Sequence, residues 1–235
     1  MDMKKIEDLL AELKIAFGDN LISAVLYGSS VTGDSTPEFS RENLFLLLKD
    51  DALDLFRPAL PALNKWVKAG HSIPHFFSER RFQDSEDVFP IEFSDIQAHH
   101  RVLFGTDPFQ DLKIESLNLR YQLEFELRSK LIQLRQRYLE SGGQAKQARE
   151  LMARSLSTFS VLFKSVLRLL GEPAPSHKKE TWAALARHTA MDIPTLEQIW
   201  DIRHGKELAD KQVDVVFGAY VKCIEGVIDF VDQRK

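Results

Sequence analysis

The 235-residue chain contains one cysteine, Cys223, which excludes an intramolecular disulfide and any Cys-rich zinc site. No apolar run approaches the roughly 20 residues that a membrane-spanning helix requires. The stretch Met1-Asp2-Met3-Lys4-Lys5 leads into an amphipathic segment and not into the apolar core of a signal peptide. Glycine and proline, at 11 and 9 residues, are too sparse for a collagenous or disordered chain. Internal repeats and low-complexity tracts are also missing. The expectation that survives is a soluble, cytoplasmic globular protein, long enough for one large domain or two small ones.

The apolar fraction of 44% and charged fraction of 28% are ordinary for a globular chain. The net charge of -4 is unevenly spread. Residues 1–112 hold 11 Lys and Arg against 19 Asp and Glu, and residues 113–235 hold 20 against 16. The basic half has no tight cluster resembling a phosphate-tracking stripe, so no strong nucleic-acid signal follows.

The first half mixes two periodicities. Ile6, Leu9, Leu10, Leu13 and Phe17 recur at helical spacing, and Gly18 closes the pattern. Leu21 to Tyr27 reads as a buried strand ending at Gly28, and Leu44 to Leu48 as a second strand. Residues 52–69 read as a helix that Pro58 and Pro61 kink or restart. His71 to Phe77 and Val88 to Phe93 read as further strands. After Asp107-Pro108 the strand signals fade. Leu117, Leu119, Tyr121, Leu123, Phe125 and Leu127 alternate, yet Leu127, Leu131, Leu134 and Tyr138 continue at helical spacing, so a long helix is expected. Such a helix is apolar on several sides and should be buried on several sides. Helices over about residues 151–170, 178–188, 194–205 and 213–231 complete the chain, punctuated by Gly171, Pro173, Pro175 and Gly205. The fold class expected is α+β: a mixed-sheet domain over residues 1–112, then an all-helical bundle over residues 113–235.

The most informative stretch is Leu26-Tyr27-Gly28-Ser29-Ser30-Val31-Thr32-Gly33-Asp34. A buried strand ending in a small-residue turn exposes backbone amides and serine hydroxyls that can donate to phosphate. This turn, followed by Ser40-Arg41-Glu42-Asn43 and the run Leu44 to Leu48, resembles the DNA polymerase β-type nucleotidyltransferase superfamily. The trailing helical bundle is similar to those of its minimal and kanamycin-type members. The resemblance implies nucleotide binding by Gly28, Ser29 and Ser30. It also implies a carboxylate pair on the next strand and a third acid on a later one, for which Glu92 in Phe89-Pro90-Ile91-Glu92-Phe93 is the best match.

The chain departs from that pattern where the chemistry is most exacting. Arg41 and Asn43 stand where the paired carboxylates belong, and no register yields two acids one residue apart. Nucleotidyl transfer clamps the attacking and leaving oxygens between two divalent ions held by carboxylates. Mg²⁺ takes hard oxygen ligands, and an Asn carbonyl brings no charge. A divalent ion about 4 Å from an arginine, at an effective dielectric near 20, would cost roughly 8 kcal/mol before relaxation. Arg41 is open to two readings, a direct phosphate ligand or a solvated loop residue. Glu92 could equally form an ion pair with Arg41, and Asp95 reads as the N-cap of the following turn.

Other constellations are weak. His99 and His100, adjacent on a helix, would point about 100° apart, and His71, His75, His177, His188 and His204 are scattered. No arginine precedes a histidine at the spacing of helical ribonuclease partners, and Gly28-Ser29-Ser30 lacks a nucleophile elbow. Trp66, Trp182 and Trp200 read as core or interface anchors.

The expected function is that of a nucleotidyltransferase-fold protein that is catalytically inactive or severely weakened and works by binding a nucleoside triphosphate or a protein partner. No cofactor or metal site is expected. Two alternatives stay open. One is an active Mg²⁺-dependent nucleotidyltransferase using Glu92 with non-standard acids such as Asp50 or Asp34. The other is a structural module that homodimerises through its helical half.

Overall fold

A computed structural model describes residues 3–28, 31, 43–175 and 177–234. The chain divides into two compact units, Met1–Ile114 and Glu115–Lys235.

In the first unit, helix α1 (Met3–Phe17) buries Ile6, Leu9, Leu13 and Phe17 along one face. Strand β1 (Leu21–Tyr27) ends at Gly28, and β2 (Asn43–Leu48) runs back beside it. A 3₁₀ turn over Leu53–Ala59 holds Pro58, and α2 (Leu60–Lys68) starts afresh with Pro61 in its first turn. That is the restart the two prolines call for. Next come β3 (His75–Ser78), the short α3 (Glu79–Gln83), α4 (Pro90–Ala98) and β4 (His100–Gly105). The sheet order is β3-β2-β1-β4, with β2–β3 parallel and both pairings of β1 antiparallel.

Three elements differ from the sequence expectation. The strand expected from His71 starts only at His75, because Pro74 has no N–H for the ladder. The strand expected over Val88 to Phe93 is instead α4, so Glu92 and Asp95 lie within a helix, whose N-cap position is Phe89 and not Asp95. Pro90 suits the first helical position, where its missing N–H is not needed, and Glu92 in the first turn complements the helix dipole. The third is β4, where His100 opens a strand and does not share a helix with His99.

Packing explains why β1 sits centrally. Ala24 and Leu26 join Leu44, Leu46 and Leu48 beneath α1 and α2. Val25, Phe45 and Leu47 face the other way, into Phe82, Phe93, Ile96 and Phe109. The rings of Phe45 and Phe109 lie 4.9 Å apart, and those of Phe82 and Phe93 5.0 Å. Each such pair adds about 1 kcal/mol beyond area burial, and together they fix α4 against the sheet.

The second unit contains α5 (Ser116–Glu140), α6 (Ala145–Leu169), α7 (Lys178–Leu185), α8 (Ile193–Arg203) and α9 (Asp210–Asp232). Helical spacing won over alternation in α5, which buries Leu119, Leu123, Leu127, Leu131 and Leu134. Trp182 is fully buried, and its indole N–H donates to Ser160 Oγ at 3.1 Å. Trp66 is a core anchor of the first unit, donating to Ser72 O at 2.8 Å. Among the described residues, no helix is long and apolar enough to cross a membrane.

Gly105 closes β4 at a positive φ of 76°, and a Cβ there would sit 1.8 Å from the Ile22 carbonyl oxygen. The Ile22 oxygen belongs to backbone and the Cβ position is fixed by the backbone at 105, so neither can swing away. Gly105→Ala should cost about 3 kcal/mol from left-handed strain and β4 displacement. Chemical denaturation checks it, and an unchanged midpoint would contradict it.

Candidate functional site at the end of the central strand

β1 and β2 are apolar on both faces except for Ser23, which is buried and donates to Phe104 O, so the remaining polar side chains stand at the sheet's end. Tyr27 closes β1 and pairs with Asn43 on one side and His100 on the other. Cross-strand partners in antiparallel pairs share a face, so these three side chains stand together on the α4 side. The His75 ring meets the Tyr27 ring edge-on at 6.1 Å.

Gly28 follows at a φ of 82°, and a Cβ built on it would lie 3.1 Å from Asn43 Nδ2. Left-handed backbone and close approach therefore both favour glycine here. The Val31 N–H donates to Gly28 O at 2.9 Å, so the chain turns immediately. Ser29, Ser30, Asp34 and Arg41 lie outside the described residues.

Glu92 and Asp95 are three apart on α4 and so share a face. Their charges reach Tyr27, whose hydroxyl is pushed up to about 12, first by burial, then by Asp95, then by Glu92. A phenol beside two carboxylates and half withdrawn from water is held neutral, as a hydrogen-bond donor. Of the residues that sequence singled out, Gly28 and Asn43 come together at this strand end, and Glu92 approaches it from a helix. Asp50 does not. It follows β2 at the far end from Asn43, roughly 20 Å along the strand, where its backbone exchanges hydrogen bonds with Asn20.

Sequence reasoning missed Tyr27, His75 and His100. The His100 ring is tied on both sides, with Nδ1 donating to Ile96 O at 2.9 Å and Nε2 facing Asp107 Oδ2 at 2.9 Å. Asp107 Oδ1 also accepts from the Phe109 N–H, and Gln97 donates to the Phe109 and Leu112 carbonyls. These bonds brace β4 and the following turn against α4, a positioning role for the histidine. Nothing in the local sequence signals it.

Among the described residues, the donors at this strand end do not make up a two-ion centre. Among the described residues, the four strands carry no Asp or Glu. No group of three or more His, Cys, Asp or Glu among the described residues converges there either.

The chain is similar to the crystal structure of the spectinomycin adenyltransferase AAD(9) from Enterococcus faecialis with ATP and spectinomycin. Identity is 12% and the TM-score 0.58, over 95% of this chain and 99% of that one. A toxin–antitoxin structure with AMP-PNP overlaps at 16% identity and a TM-score of 0.35, over 57% of this chain and 98% of that one. No family model and no curated protein matches the sequence. The first likeness establishes an α+β, nucleotidyltransferase-like fold.

Because the fold favours the neutral Tyr27 phenol, its stabilising contribution is complete below pH 10 and drains away as pH rises towards 12. In a phenolate absorbance titration, Tyr27→Phe should remove one late-ionising phenol. Glu92→Gln with Asp95→Asn should shift that phenol back towards its ordinary value. Ionisation of Tyr27 at the ordinary value in the unaltered protein would contradict the geometry.

Proposed function

We propose that the chain is a nucleotidyltransferase-fold protein that binds a nucleoside triphosphate at the Gly28 turn and has lost, or nearly lost, nucleotidyl transfer. The observation that carries this reading is Asn43. It enters the sheet directly beside Gly28, at the start of the strand on which the sequence's resemblance to polymerase β-type nucleotidyltransferases implies a metal-binding acid pair.

Supporting it, the acids whose charge reaches Tyr27 among the described residues are Glu92 and Asp95, both on α4. Transfer needs two ions gripped from several directions, and one short helix supplies one direction. Binding makes lighter demands. The glycine lets phosphate approach the backbone, Ser29 and Ser30 bring hydroxyls, and Arg41 brings a guanidinium suited to phosphate oxygens. Neutral Tyr27 and the Asn43 amide add donors without adding negative charge. The similar adenyltransferase structure holds ATP, which makes ATP the first ligand to try.

The test is thermal unfolding with ATP, GTP, CTP and UTP, each with and without Mg²⁺, beside an assay for NMP transfer. A ligand at 100 times its dissociation constant stabilises by about 2.7 kcal/mol. Stabilisation of that size without Mg²⁺, and no transfer, is the expected result. Mg²⁺-dependent transfer that Glu92→Ala abolishes would overturn the reading in favour of an active enzyme. No shift with any nucleotide would also overturn it, in favour of a protein-binding scaffold.

A further inference from the structure

His100 and His75 both stand at the end of the sheet, and they differ in what their rings touch. Both ring nitrogens of His100 are taken, by the Ile96 carbonyl and the Asp107 carboxylate. His75 is exposed, and its ring meets Tyr27 edge-on. Among the described residues, neither of its ring nitrogens has a hydrogen-bond or ion-pair partner.

Strand register places that ring beside the Gly28 turn. β3 runs parallel to β2, so both strands begin at the same end of the sheet, and His75 lies opposite Phe45. Phe45 comes two residues after Asn43 and shares its face. Phe77, two residues after His75, packs with Phe45 in the core on the α4 side. By the same alternation His75, Asn43 and Tyr27 all stand on the α4 side. Three neighbouring strands thus each present one polar side chain there, Tyr27 from β1, Asn43 from β2 and His75 from β3. The strand entry is fixed as well, because buried Pro74 locks φ one residue earlier. An imidazole so held gives up little conformational freedom when a ligand arrives. An exposed histidine is ordinary on its own, and what distinguishes this one is the common face.

We infer that His75 is a phosphate ligand, its ring N–H donating to a phosphate oxygen of the nucleoside triphosphate held at the Gly28 turn. The assignment rests on nucleotide binding at that turn and adds the group that β3 supplies. A neutral imidazole carries one N–H and needs no added proton to donate it. Aimed at an ionised phosphate oxygen, that donor makes a charge-assisted bond roughly twice as strong as a neutral one. Unlike Glu92 and Asp95, His75 meets phosphate without like-charge repulsion.

Isothermal titration calorimetry of the full chain with ATP and, separately, with inorganic tripolyphosphate tests it. His75→Ala should weaken both by about tenfold or more, the loss expected for one hydrogen bond to a charged group. His75→Phe keeps a ring against Tyr27 but has no N–H, and it should lose as much. His75→Gln restores a donor and should recover most of the affinity. Without ligand, all three variants should melt where the unaltered protein does, because His75 is exposed. Unaltered protein that binds neither probe would overturn nucleotide binding at the turn and this inference with it. Three results would overturn the inference alone while the unaltered protein binds: unchanged affinity in His75→Ala, full affinity in His75→Phe, or a loss with ATP that tripolyphosphate does not share.

Discussion

The constraint on which the first unit depends is that β1 is paired on both edges and covered on both faces. Leu26 and Ala24 are sealed under α1 and α2, and Val25 is sealed under the phenylalanine cluster. A strand so enclosed has no place for a charged side chain along its length. Polar groups collect where it stops, and the stop is made by Gly28, whose left-handed backbone disfavours other residues and which packs closely against the Asn43 side chain. The perturbed Tyr27 phenol follows from the same enclosure, with burial its largest cause and the α4 carboxylates adding to it.

Binding at that end and chemistry at that end ask for different electrostatics. A triphosphate needs donors and positive charge, while the ions that activate it need fixed negative charge. Asn43, Tyr27 and the glycine turn suit the first demand. Glu92 and Asp95, on the helix next to the turn, suit the second only in part.

The parts legible in the sequence were those with long, unambiguous patterns. Leu21 to Tyr27 and Leu44 to Leu48 are continuous apolar runs of strand length, and both form central strands. The helices of the second half repeat over many turns, which decided α5 despite eleven residues of alternation. The failures are local and physical. Phe89 to Phe93 alternates over only five residues, too few to separate a strand from a helix beginning at Pro90. β4 is an edge strand with a mixed burial pattern, so neither periodicity stands out. Gly28 and Asn43 could be read as neighbours because the two strands around them could be read. Tyr27 with His100, and Tyr27 with Glu92, could not. Those pairs are made by sheet order and by the seat of α4, and both depend on contacts between residues more than sixty positions apart.

The claim at the centre is that the Gly28 turn holds a triphosphate without a pair of divalent ions beside it. The direct measurement is a crystal structure of the protein with a non-hydrolysable ATP analogue and Mn²⁺, using the anomalous signal to locate metal. The result predicted is phosphate density against Gly28 and Asn43, with no manganese peak next to Asn43 or Glu92. Two manganese peaks bridging the phosphates to Glu92 and a second acid would contradict it.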